Sequence, residues 1–193
     1  MKTPVLETER LILRPVCLED APAIQKYFNN WNIIRFTSSA VPWPYPNDGA
    51  LSFIRDTCVP AMQRGDDLVW CITLKEDDLG QAVGIIHYRL KPKENQENRG
   101  FWLAEPYHGK GMMTEAIIAT QDFVFFELNL KSFKARNAIS NIGSRRVKEK
   151  TGAKLIGTED KPCGHVEGPT QVWEVTRENW AKIRGRVIPS EVE

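Results

Sequence analysis

No cysteine or histidine pair in this 193-residue chain has the spacing of a metal site. Cys17, Cys58, Cys71 and Cys163 are scattered without a C-x-x-C, and His87, His108 and His165 are equally dispersed. Neither a disulfide framework nor a structural zinc site is expected, and no metal is assigned. Long apolar runs are missing too. Stretches such as Leu68 to Ile72 fall far short of the roughly 18 residues that a membrane span needs, which rules out a transmembrane protein, and no membrane partner is expected. Met1 to Arg10 has no apolar core of the kind a secretory signal carries, so a cytoplasmic location is expected. A net charge of +1 and a pI near 7.7 argue against a dedicated nucleic-acid binder.

What is present is ordinary for a globular protein: 41% apolar and 26% charged residues, enough to bury a sizeable core. There is no repeat, low-complexity tract or linker, and the length fits a single domain over residues 1–193. The charge is uneven. Residues 131–154 hold eight bases against one acid, Glu149, leaving 18 bases against 24 acids elsewhere, a net −6. Such a segment suits an anionic ligand, or is simply a solvated helix face.

Leu11 to Leu13, between Arg10 and Arg14, predicts a short strand ended by Pro15. Glu19 to Asn29 predicts a helix, with Ala23, Ile24, Tyr27 and Phe28 at helical spacing. Asn32 to Pro46, with Trp43, Tyr45 and prolines 42, 44 and 46 following Trp31, reads as a loop over a binding cleft or as a packed loop. Asn47 is expected to cap a second helix running to about Met62. Leu68 to Leu74 and Ala82 to Leu90 predict an antiparallel hairpin, Lys91 to Asn98 a polar connection, and Gly100 to Leu103 a fourth strand. Alternation follows: helix from about Met112 to Leu128, strand near Phe133 to Arg136, helix Ile142 to Thr151, strand near Lys154 to Thr158, strand Gln171 to Val175 and a helix around Trp180.

The chemistry concentrates after the fourth strand, in Glu105-Pro106-Tyr107-His108-Gly109-Lys110-Gly111-Met112-Met113-Thr114-Glu115-Ala116. A strand, a glycine-containing turn and a helix start bring the backbone close to a ligand, and the free N–H groups of the first helical turn attract an anion such as a pyrophosphate. A tight turn would use the same glycines for sterics alone. The spacing is neither that of a P-loop nor that of a dinucleotide-binding fingerprint.

With this loop, Leu6-Glu7-Thr8-Glu9-Arg10-Leu11-Ile12-Leu13-Arg14-Pro15, Asn141-Ile142-Gly143-Ser144-Arg145-Arg146-Val147 followed by Thr151-Gly152-Ala153, and the Thr176 to Trp180 element stand in order along the chain. Together they resemble the GNAT N-acetyltransferases, and within them the Rim-type branch that acetylates protein N-termini, notably of ribosomal proteins. The resemblance covers nearly the whole chain. It implies an α/β GNAT domain, α+β in layout, with a mixed seven-stranded sheet. That sheet would begin antiparallel, splay into parallel strands at the cofactor end, and carry helices on both faces.

For the site, the resemblance implies that acetyl-CoA is bound by His108, Gly109, Lys110, Gly111, Met112, Met113 and Thr114, chiefly through backbone N–H groups. Phe101, Trp102 and Leu103 would lend backbone to the pantetheine arm. His108 and Met113 depart from the family's loop pattern, which has Gln or Arg at the first and Gly or Ala at the second. Asn141 would contact the cofactor amides, or cap its own helix, or both, and Ser144 would lie near the thioester sulfur. Arg145, Arg146 and Lys148 would meet the 3′-phosphate or face solvent.

Acetyl transfer to an amine needs a neutral amine and a stabilised leaving thiolate. No tyrosine follows Tyr107, so Ser144 is the candidate donor to sulfur. For the base, Glu105 is the carboxylate beside the cofactor loop; Glu159, Glu167, His108 and His165 are further candidates. Positioning alone is the alternative to a dedicated base. The expected acceptor is a protein N-terminus, with the loops Trp31 to Pro46 and Cys163 to Pro169 shaping access. The alternatives are a small amine (polyamine, aminoglycoside or amino acid), a non-catalytic acyl-CoA binder, and an RNA-binding module. A monomer or a homodimer is expected.

Overall fold

The structure, a computed structural model, describes residues 2–92 and 97–188. Lys93 to Gln96, in the expected polar connection, therefore lie outside the described residues. A first sheet has the strand order β1 (Leu6–Glu7), β2 (Leu11–Pro15), β3 (Asp67–Leu74), β4 (Gly84–Arg89) and β5 (Arg99–Leu103), every neighbouring pair antiparallel. The central strand β3 is apolar almost throughout, as a strand covered on both faces must be. A short 3-10 turn at Leu18–Asp20, α1 (Ala21–Phe28), α2 (Trp31–Ile34), α3 (Gly49–Phe53), a π-helical turn (Ile54–Cys58) and α4 (Val59–Arg64) lie between β2 and β3. Gly65 closes α4 in the left-handed region at φ 73°, where glycine meets no Cβ penalty.

The second half packs α5 (Met112–Asp122), with a π-helical turn after it, against both sheets. Then come β6 (Ser132–Ala138), α6 (Ile142–Lys150), β7 (Lys154–Glu159), β8 (Thr170–Thr176) and α7 (Arg177–Arg184). Thr176 caps α7, its hydroxyl accepting from Asn179 N–H. One core joins Leu11, Leu13, Trp70, Ile72, Met113, Ile117, Phe125, Val175 and Trp180; a second lies under α1 to α4.

The sheet differs from expectation in two ways. The described residues form eight strands, because the two-residue β1 pairs with β2 ahead of the first expected one. Among the described residues there are also two separate sheets, with no parallel ladder. After α6 the chain does not lay β7 beside β6; β8 inserts between them and pairs antiparallel with both. β5 and β6 meet where each begins, at Asn98 and Lys134, whose backbone groups approach at 3.4 Å. Beyond that point no ladder joins them. The split between the sheets stands where the splay was expected. At α3, Asp48 rather than Asn47 is the N-cap residue, and its carbonyl, not its side chain, accepts from Ser52 N–H.

Candidate functional site

The site is built outward from β5. Arg89 N–H donates to Asn98 O at 2.7 Å and Ala104 N–H to Val83 O at 2.8 Å, so even-numbered residues of β5 bond to β4. By strand alternation the amides of Phe101 and Leu103 point the other way, into the split, where an extended ligand with its own amides finds a strand edge. The Trp102 ring instead packs on Phe28, centroids 5.0 Å apart.

The chain then makes a 3-10 turn (Glu105–Tyr107) and two left-handed glycines, Gly109 at φ 74° and Gly111 at φ 77°. Gly111 is the N-cap of α5 and offers no side-chain cap, so the N–H groups of Met112, Met113 and Thr114 have no acceptor within the helix. That is the local chemistry of an anion site. Met113 does not obstruct it, because its side chain is 8% exposed and belongs to the core. His108 holds the loop to its strand: Nε2–H donates to Leu103 O at 2.6 Å.

A second fastening went unseen in the sequence. Glu115, in the first turn of α5, accepts from Thr8 Oγ1 (2.6 Å) and Arg10 N (2.9 Å) through Oε1, and from Arg10 Nε (2.7 Å) through Oε2. Arg10 Nη1 also donates to Lys110 O at 3.0 Å. The opening Thr8-Glu9-Arg10 segment thereby clamps the glycine loop. Burial pushes the Glu115 carboxyl up, but the bonds from Thr8 and Arg10 outweigh it and hold the group below its usual range. The complementary types of Thr8, Arg10 and Glu115 are the signal, but a pairing 105 residues apart has no periodicity to reveal it.

On α6, Asn141 Oδ1 accepts from Ser144 N–H at 3.0 Å, so the cap reading is the one observed. Ser144 Oγ accepts from Lys148 Nζ at 2.6 Å. This corrects the placement of Lys148 among solvent-facing bases: it is 2% exposed, because β5 and the loop after β7 cover this face of α6. Arg145 and Arg146 are on the outer part of the helix.

Across the opening, Asn30 and Asn32 donate to the two oxygens of Glu105 at 2.6 and 2.9 Å. These bonds hold the carboxyl below its usual range. Glu105 is thus kept as an anion and ties α2 to the glycine loop. Between those asparagines Trp31 leans on Trp43 (5.2 Å) and His165 (5.6 Å). The His165 ring donates to Val41 O at 2.7 Å and its backbone N–H to Arg35 O at 2.9 Å. At Gly164 a Cβ would stand 2.3 Å from Thr37 O. The two loops expected to shape acceptor access are packed on each other. Glu159 is engaged by Arg136 and Lys161.

A cleft of about 500 Å³ borders Gly111 and Thr114 on the β1 side, but Glu7, Glu9, Glu115 and Asp122 outnumber Lys150 and Arg184 in its wall. That wall repels phosphate. Among the described residues no group of three or more His, Cys, Asp or Glu is arranged to hold a metal, and no helix is long and apolar enough to cross a membrane.

Residues 10–154 match the family model described as "Acetyltransferase (GNAT) domain". Two proteins of Bacillus subtilis (strain 168) are similar in sequence. The probable N-acetyltransferase YjcK is 43% identical over 53 residues, 28% of this chain and 29% of that protein's length. The uncharacterized N-acetyltransferase YnaD is 25% identical over 91% of this chain and 98% of its own. Among solved structures, the ribosomal-protein-S5-alanine acetyltransferase of Vibrio fischeri superposes with a TM-score of 0.75 at 19% identity, covering 92% of this chain and 98% of that one. The microcin C7 self-immunity acetyltransferase MccE, solved with acetyl-CoA and AMP, gives 0.70 at 20% identity over 88% and 93%.

Proposed function

The chain belongs to the GNAT acetyltransferase family, with acetyl-CoA as its acetyl donor, and on that premise we propose that the acceptor is the N-terminal α-amine of a protein. The observation that carries this reading is the state of the carboxylates around the opening. A polyamine acceptor needs clustered free acids. Here Glu105, beside the exposed rings of Trp31 and Trp43, is occupied by two amides and Glu159 by two cations, so neither is a free acid. Such a mouth accepts one ammonium and the apolar or polar side chain next to it.

In this reading the glycine loop and the amides of Met112 to Thr114 hold the pyrophosphate, and the outward amides of Phe101 and Leu103 hold the pantetheine arm. Glu105 contributes a fixed negative charge that draws the acceptor in; with its pKa lowered it is a weak base, so deprotonation of the amine falls to water and positioning supplies the larger share of catalysis. Ser144, at the first turn of α6, donates toward the departing sulfur. The buried side chain of Met113 removes one of the two motives for a non-catalytic binder, the other being the absence of a tyrosine after Tyr107. The finer assignment to the Rim-type branch rests on the motif order and on the fold shared with the S5-alanine acetyltransferase.

A second reading, a flat small-molecule amine, is favoured by one feature: Trp31 and Trp43 are 38% and 44% exposed and adjacent, as a stacking platform would be. CoA release measured with an N-terminal peptide panel beside a panel of small amines separates the two. Peptide-dependent release is expected; release driven only by an aromatic amine would overturn the peptide reading.

A further inference from the structure

Lys148 is absorbed by no role so far. It is 2% exposed, one turn behind Ser144 on α6, and its ammonium donates to Ser144 Oγ at 2.6 Å. Ser144 is half-buried while Lys148 is buried, so of the bonded pair the serine is the more accessible to a ligand. From β5 the lysine is faced by the Phe101 ring, 5.5 Å from Nζ, and by Arg99; from the segment before β5 by Glu97; and from the loop after β7 by Cys163. Holding a lysine in such a place costs folding energy, and a methionine of the same length would pack there without that cost. The hydroxyl its ammonium bonds to is the one that the reaction needs as a donor.

We infer that Lys148 is the proton source for the departing CoA sulfur, acting through the hydroxyl of Ser144. The inference rests on the reading above, in which Ser144 faces the thioester. In the step, the amine lone pair forms the C–N bond and the carbonyl π pair moves to oxygen. Collapse then breaks the C–S bond, and the electron pair leaves on sulfur. Sulfur takes the Ser144 hydroxyl proton while Ser144 takes one from Lys148. The proton shed by the acylated nitrogen goes to water, and water recharges the lysine, so amine plus thioester gives amide plus thiol. Burial and the neighbouring Arg99 charge, against the opposing pull of Glu97 and Cys163, lower the lysine pKa to about 7. Both protonation states are then available at neutral pH, which suits a general acid and improves on a lone serine hydroxyl. Lys148 touches no substrate in this scheme; it is a positioning and charging residue for Ser144.

The test needs no acceptor. CoA is bound to the full-length protein and its thiolate absorbance is followed against pH, with the desulfo-CoA complex subtracted to remove protein thiols and tyrosines. The bound thiol is expected to ionise at least about one unit lower in the wild type than in Lys148→Met. Ser144→Ala, which leaves the lysine in place but breaks the relay, should raise it similarly, and it keeps the test valid if Lys148→Met fails to fold. A lysine that merely supports α6 would leave the thiol pKa unmoved. Equal thiol pKa values in wild type and both variants, with CoA bound by all three, overturn the inference and leave the donor assignment standing. No CoA binding by the wild type overturns both.

Discussion

On the donor side of the opening, the loop is fastened to itself and to one neighbouring turn: His108 to its own strand end, Gly111 as helix cap, and Glu115 across 105 residues to the β1–β2 turn. On the acceptor side, residues 35–46 and 160–169 hold each other at long range, through His165 to Val41 and Gly164 against Thr37. A phosphate-binding loop has to meet one fixed chemical group. Bonds within the loop and to the β1–β2 turn give it that rigidity without involving the acceptor loops. An acceptor wall made of two interlocked loops changes its shape whenever either loop changes, without disturbing the donor side.

That difference is open to attack. Gly111→Trp forces a side chain into the left-handed region and into the helix N-terminus, although the site itself is open, with only Arg10 Nη2 within 3.7 Å. Calorimetry should find acetyl-CoA binding weakened about 100-fold or more, with the far-ultraviolet circular dichroism retained. Gly164→Ala places a methyl against Thr37 and Arg35 carbonyls that cannot move aside. It should raise the acceptor KM roughly 30-fold while acetyl-CoA affinity stays within about twofold. An equal loss on both sides would dissolve the distinction.

Glu115→Ala removes the anchor of Thr8 and Arg10. Acetyl-CoA affinity should drop about tenfold, and adding Arg10→Ala should cost little more, since both act on one network. The smallest effect concerns the corner that leads to the acceptor wall. Arg14 donates to both oxygens of Asp20, at 2.9 and 2.6 Å, and Cys17 N–H donates to Oδ2. Burial pushes the Asp20 carboxyl up, but Arg14 and Cys17 outweigh it and lower its pKa. Stability from this group is therefore full above the unfolded carboxylate pKa, near 3.9, and is lost as pH falls through the folded value. Denaturant melts should show Asp20→Asn less stable by about 1–2 kcal/mol at neutral pH, with the gap closing in acid.

The same contrast explains what the sequence makes legible. Strands β2 to β8 and the main helices follow from apolar periodicity and from glycine and proline signals, all of them local. The glycine loop is readable for the same reason. The Arg10–Glu115 clamp is not, and neither is the insertion of β8 between β6 and β7, since both depend on partners far apart in sequence. The buried state of Lys148 was hidden by composition: it stands in a run of bases that reads as a solvated face, and only the packing of β5 and Cys163 over α6 distinguishes it. Its role was equally hidden, because the signal for Ser144 ended at the serine.

The central claim is that the loop from Gly109 to Thr114 is the acetyl-CoA pyrophosphate site. Titration calorimetry of acetyl-CoA into the wild type and into Gly111→Trp tests it most directly. Micromolar binding by the wild type and none by the folded variant is the predicted result. Binding of equal affinity to both would place the cofactor elsewhere and contradict the account.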